Sequence, residues 1–306
     1  MSENIPVIRL RTKSGVLVAR DGVVLSFFIH RNHEDVAPAI WRALRTYVRA
    51  IPPNSLNWYS SDDGDMVPLD DQGWEHNRKQ LLERSWGTAW VVELFENASE
   101  AGGYQFDYHG RRIDEPSWPT PQNPATSVAF TFPTEYLRAH GPEHLRALAL
   151  EIARELPFSF GYASLAFVSP HGAWYAARAE LLDLLTRYMG LDLYHVGETS
   201  TVIGAQARGA YWLTFLGQPL LGQLGGIERL RRELAFPGVS LLPLPEERLL
   251  ISLGEWPDAL DTKAEGIPPQ YPALAYLLKP FLYEERSGGF SLDKDQMNRW
   301  LRRLCP

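Results

Sequence analysis

The sequence predicts an α+β fold: mixed, mainly antiparallel sheets packed with helices. Three observations carry this. Short apolar runs rich in β-branched and aromatic residues recur along the chain at strand length. Stretches with apolar residues at helical spacing follow several of them, opened or stopped by proline. Late in the chain, two apolar runs flank Pro245, Glu246 and Glu247, the pattern of a hairpin.

Residues 23–29 form the first predicted strand. Ile40, Trp41, Leu44, Tyr47, Val48 and Ile51 then share a helical face, with Pro38 suited to the first turn and Pro52-Pro53 ending it. Residues 56–60, 90–95 and 104–108 read as further strands. Residues 114–124 hold four prolines and read as a linker. That divides the chain into 1–125 and 126–306, one continuous domain being the alternative.

A second unit follows: a strand at 128–132, a helix opened by Pro142 and carrying Leu145, Leu148, Ile152 and Leu156, and a strand at 162–168. Its order repeats the first and suggests two similar strand–helix–strand halves, although chance recurrence explains the order as well as duplication does. Residues 173–189 make an amphipathic helix striped by Trp174, Ala177, Leu181, Leu184, Leu185 and Tyr188, with Gly190 just beyond it. Residues 191–196 read as extended, 227–235 as helix, and 239–242 with 249–253 as the hairpin. The chain closes on a basic amphipathic helix, 293–304, whose Arg299, Arg302 and Arg303 suit a helix C-terminus.

Composition narrows the function. Hydrophobic residues make up 45% of the 306 residues and include ten tryptophans, which excludes a disordered chain. The net charge of −7 argues against a protein that grips nucleic acid through many phosphate contacts. It suits a basic partner, and solubility alone explains it equally. The single cysteine, Cys305, allows no intrachain disulfide and fits a reducing compartment. The first residues lack an uninterrupted apolar stretch, so neither a signal peptide nor an anchor is expected and the cytoplasm is the expected location.

Residues 209–227 carry no charge, but five glycines, one proline and two glutamines break the run too often for a membrane-spanning helix. The window reads as a buried strand containing Trp212 and Leu213, a turn at Gly217 and Pro219, and a short helical piece broken by Gly225 and Gly226.

Chemistry-bearing residues are scattered. His30, His33 and Glu34 cluster at a strand end, but His30 and His33 do not share strand parity as two ligands should. His140 and His144 are four apart, yet Gly141-Pro142 places a helix start between them, which should keep them from meeting. Asp62, Asp63, Asp65, Asp70, Asp71 and Glu75 concentrate negative charge. A calcium loop fails because its sixth position, which should be glycine, is Pro68 counting from Asp63 and Asp70 counting from Asp65. A solvated loop is the plain reading of these acids, and a face for a basic protein is the functional one. Motifs for hydrolases, phosphate-binding loops, dinucleotide folds and zinc proteases are absent, so no catalytic residue, metal or cofactor is expected. The rivals are a hydrolase built from dispersed carboxylates and histidines, and a ligand-binding module with a cleft lined by Trp41, Trp58, Trp86, Trp90 and Trp118. Tryptophans of this kind are more often core.

The segments LPFSFGYASLAF, AWYAARAELLDLLTRYMGLD and RGAYWLTFLGQPLLGQLGGIERLRREL, with the hairpin after them, resemble the type VI secretion immunity family associated with protection against nuclease effectors. VVLSFFIHRNHEDVAPAIWRALRTYV is similar to that family's opening strand and helix. The resemblance spans most of the chain, with residues 212–226 its most specific part. It implies a protein that binds and neutralises one cognate effector encoded nearby by occluding its active site. Such a protein needs no catalytic residue, no cofactor, no direct contact with nucleic acid and no membrane segment.

Overall fold

The computed structural model describes residues 5–114, 123–264, 266–286 and 293–305. Most of the predicted linker at 114–124, with Trp118, lies outside them. In chain order the elements are β1 (Arg9–Arg11), β2 (Leu17–Ile29), α1 (His33–Ala50), β3 (Trp58–Ser60), β4 (Met66–Pro68), α2 (Asp71–Leu82), β5 (Ala89–Phe95), β6 (Gln105–Arg111) and β7 (Thr126–Pro133). Next come α3 (Thr134–His140), α4 (Pro142–Glu155), β8 (Phe160–Val168), a tight helical segment Pro170–Ala177, α5 (Arg178–Arg187), α6 (Val196–Thr199) and β9 (Leu213–Leu216). The last are α7 (Leu220–Gln223), α8 (Gly226–Glu233), β10 (Ser240–Leu244), β11 (Arg248–Ser252), α9 (Gln270–Leu278) and α10 (Lys294–Leu301).

Among the described residues the strands pair into one eleven-stranded sheet, ordered β10-β11-β9-β8-β2-β7-β6-β5-β3-β4, with β1 alongside the start of β2. Each pairing of named strands is antiparallel. β2 sits between β7 and β8, so strands from both sides of residue 125 pair with each other. Its sequence LVARDGVVLSFFI is buried almost throughout, as a strand covered on both faces must be.

Both predicted strand–helix–strand units are present, as β2–α1–β3 and β7–α4–β8. They close differently: β8 returns with only β2 between it and β7, whereas β3 returns with β7, β6 and β5 between it and β2. The helices α1 and α4 pack on each other. α1 packs through β6 and β7 on the sheet face that carries Leu25, Phe27, Phe106, Phe130, Phe132 and Ala163. Tyr47 of α1 lies against Phe130 and Phe132, with ring centroids 5.3 and 5.2 Å away, and donates its hydroxyl to the Thr131 carbonyl at 2.6 Å. Each such buried aromatic side chain contributes roughly 1.5–3 kcal/mol.

The opposite face is more polar, although Val24, Phe28, Ala129 and Phe160 lie on it too. Ser26, Gln105, Ser127, Thr131, Tyr162, Ser164 and Thr214 alternate with the core residues along their strands and are buried. Residues 190–212 satisfy part of this face. Tyr162 donates to Asp192 at 2.6 Å, Ser164 to the Gly190 carbonyl at 3.0 Å and Ser127 to the Val196 carbonyl at 3.1 Å.

The structure departs from the sequence-based expectations in four places. Helix α1 begins at His33, which puts Pro38 inside it. Glu34 and Asp35 in the first turn favour the helix dipole, and Pro38 forfeits one backbone bond. The acidic stretch read as a loop turns helical at Asp71, because Asp70 caps α2 by accepting the Gly73 amide at 2.9 Å. Only Gly73, Asn77 and Leu81 of α2 are buried, too thin a stripe to show as periodicity. The helix expected over 173–189 divides into Pro170–Ala177 and α5. The extended segment expected at 191–196 makes a single bridge, Ala166 with Asp192, before α6.

Candidate partner-binding surface

The six acidic residues fall on one edge of the molecule, around the β3–β4 hairpin and the start of α2. Ser61 closes the hairpin: its amide donates to the Asp65 carbonyl at 2.9 Å and its carbonyl accepts from the Gly64 amide at 2.9 Å. Gly64 takes a left-handed conformation there, with φ of +84°. Asp62, Asp63 and Asp65 stand exposed on this turn, and Gln80 of α2 donates to Asp62 at 3.0 Å. Asp70 and Asp71 are exposed at the α2 N-terminus, where the helix dipole favours negative charge. Glu75 is held differently. Arg78 at 2.8 Å and Lys79 at 3.5 Å pair with it, and the Arg78 hydrogen bond pulls its carboxyl down to about 2. The Asp residues therefore carry the free charge of this edge.

Beside the acids, α1 and α2 diverge and leave an open groove of about 530 Å³. Trp41 and Trp74 line it from the two helices, Leu56 and Leu69 from the connecting chain, and Asp71 and Glu75 from the acidic side. Both tryptophans are half-buried. Aromatic anchors in a groove rimmed by charge are the make-up of protein-binding hot spots. Helical spacing showed Trp41 as an apolar residue, but the pairing with Trp74 depends on α2.

The other tryptophans do not join them. Trp58 is on β3, and its register partner is Phe95. Trp90 is buried, stacked on His33 at 4.1 Å between ring centroids. Trp86 is 68% exposed, and the Arg84 guanidinium lies over its ring at 4.0 Å.

The histidine clusters also resolve. His33 is buried with Nδ1 2.7 Å from the Tyr108 hydroxyl, Glu34 pairs with Arg112 at 2.6 Å, and His30 is exposed. Burial lowers the His33 pKa to about 4, and the Arg84 and Arg112 charges add to the effect. His140 and His144 do meet, with rings 4.9 Å apart, because Gly141 at φ of +81° turns the chain between α3 and α4. Tyr136 bonds His144 Nε2 at 2.9 Å. Among the described residues, the side chains grouped as a metal site would require are Glu93, Asp107 and His109.

The charge-free window is scaffold. Leu213 lies in β9 between β8 and β11, and Trp212, wholly buried, donates Nε1–H to the Gly254 carbonyl at 3.0 Å. A Cβ on Gly217 would sit 2.0 Å from the Phe158 carbonyl oxygen, so only glycine fits. Pro219 precedes α7, and Gly225 and Gly226 join α7 to α8 with φ of +87° and +78°.

A family model described as TsiV, type VI immunity for VRR-NUC, matches residues 39–304. Among solved structures, the Pseudomonas aeruginosa T6SS protein PA0821 is similar, with a TM-score of 0.80 at 19% identity over 100% of this chain and 89% of that one. That likeness shows the fold. No curated protein matches the chain.

Proposed function

The chain belongs to the TsiV family of type VI immunity proteins for VRR-NUC, and from that premise we propose that it neutralises one cognate nuclease effector by covering its active site with the acidic edge around α2. The family match over residues 39–304 is the observation that carries the reading. The same membership favours a binding protein over a catalyst.

Charge supports the choice of surface. A nuclease must hold phosphates, so its substrate groove presents cations, and a partner that fills the groove gains from opposed charge. Asp62, Asp63, Asp65, Asp70 and Asp71 offer carboxylates in a row, and Trp41 and Trp74 beside them offer aromatic area for anchoring. The proposed place of action is the cytoplasm, where the nucleic acid to be protected resides. No helix among the described residues is long and apolar enough to cross a membrane.

Co-expression with the effector encoded next to this chain tests the reading. Growth should be restored and the two proteins should co-purify. An effector that still kills, together with no recovered complex, rejects it.

A further inference from the structure

A second site lies on the polar face of the sheet, away from the acidic edge. Asp107 and His109 are two apart on β6 and so share a face, and Glu93 on β5 is the direct register partner of Asp107. Ligand atoms of the three side chains all lie within 4.8 Å of one another. Two carboxylates directly opposite across a ladder repel, and a cation held by both relieves that repulsion.

The contact between Asp107 and His109 is informative. Nε2 of His109 is 2.8 Å from Oδ1 of Asp107, yet that oxygen is shut off from solvent and accepts no hydrogen bond. The two atoms are close without the alignment an N–H···O bond needs. Two ligands each about 2.1 Å from one ion lie roughly 3.0 Å apart at the right angle of an octahedral site and roughly 3.4 Å apart at a tetrahedral angle, and the 2.8 Å here is nearer the octahedral spacing.

The surroundings fit an ion as well. The three side chains border a partly open cavity of about 60 Å³, whose wall also includes polar Gln105 and His195 and the aromatic Phe167, Trp174 and Tyr194. That is room for an ion and a small ligand on its open side. The backbone of α6 presses on the imidazole, since a Cβ on Gly197 would lie 2.7 Å from His109 Cε1. The ring is thereby packed closely on one side.

We propose that Glu93, Asp107 and His109 bind one divalent transition-metal ion of the zinc or manganese type. One imidazole with two carboxylates suits zinc, which takes nitrogen and oxygen ligands together, and manganese, which favours carboxylates, whereas calcium takes six to eight oxygen ligands and magnesium keeps most of its waters. The ion cross-links β5 to β6 beneath the segment that carries His195. This site stands apart from effector binding and does not depend on it.

The test is calorimetric titration of the chelator-stripped full chain with zinc chloride and with manganese chloride, alongside thermal melts. One of the two ions should bind at a single saturable site and raise Tm. Asp107→Asn and His109→Gln should each weaken that binding by at least about tenfold, with circular dichroism checking that both variants fold. Glu93→Gln is the third variant should either fail to fold. Absence of saturable binding by the wild-type chain overturns the proposal, and so does binding of equal strength in the folded variants.

Discussion

Arg208 and Asp192 form an ion pair from which water is excluded, with side-chain exposures of 1% and 0%. Further hydrogen bonds surround the pair: Arg208 also donates to the Tyr211 hydroxyl at 2.7 Å and the Leu193 carbonyl at 2.7 Å, and Tyr162 donates to Asp192 at 2.6 Å, while the Arg208 Nε–H stays unpaired. Neutral Arg208 would be strongly disfavoured here, because the Asp192 carboxylate offsets burial and holds its pKa above the ordinary value. Removing one member strands the other charge, which costs about 3–5 kcal/mol. Arg208→Met should lower the urea-unfolding free energy by that amount. The double variant Arg208→Met with Asp192→Leu should be less destabilised than the two single losses added together.

His33 predicts a pH dependence. Burial holds its pKa at about 4 in the folded chain against an ordinary 6.5. The unfolded chain therefore binds more protons between those values, and stability is present above about 6.5 and lost as pH falls toward 4. The contribution is about 3 kcal/mol at most. His33→Gln should flatten the difference in urea-unfolding free energy between pH 7 and roughly pH 4.5; a difference as large as in the wild type would contradict this origin.

Gly217 and Gly226 separate two reasons for glycine. Gly217→Ala must push its methyl into the Phe158 carbonyl, a backbone atom that cannot swing away, and should cost at least about 1–3 kcal/mol. Gly226 has open space around it but φ of +78°, so Gly226→Ala should cost about 1–2 kcal/mol from conformation alone. Thermal melts of the two variants should rank them in that order.

Reversing charge on the hairpin should act on association and leave folding alone. Asp63→Lys combined with Asp65→Lys should slow binding to the cognate effector by roughly tenfold at low salt and reduce the salt dependence of the rate. Tm should not change, because both residues are exposed on the turn. Surface plasmon resonance at two ionic strengths reads both effects.

Sequence periodicity exposed the elements whose burial is one-sided or complete. The run from Val23 to Ile29 announced β2, and Ile40, Leu44 and Tyr47 announced α1, since each projects apolar side chains at a regular interval. It could not expose α2, where a cap and three inward residues suffice. Nor could it show that Trp41 meets Trp74 across a groove, or that Glu93 faces Asp107. Those pairings arise from strand register and helix packing between segments far apart in the chain, which local composition does not encode. The acids of the hairpin were visible as a charge run, but their division into free and paired groups depends on Arg78 lying one helical turn beyond Glu75.

The position of β2 has a consequence in time. It leaves the ribosome early, yet its neighbours arrive late: Ile29 pairs with Thr126, and Arg20 with Val168. Until β8 has been made, an apolar strand waits with open edges, and pairings of such long range close slowly. The central pairings of the sheet, and with them the finished binding protein, therefore wait until the chain has been made through Val168.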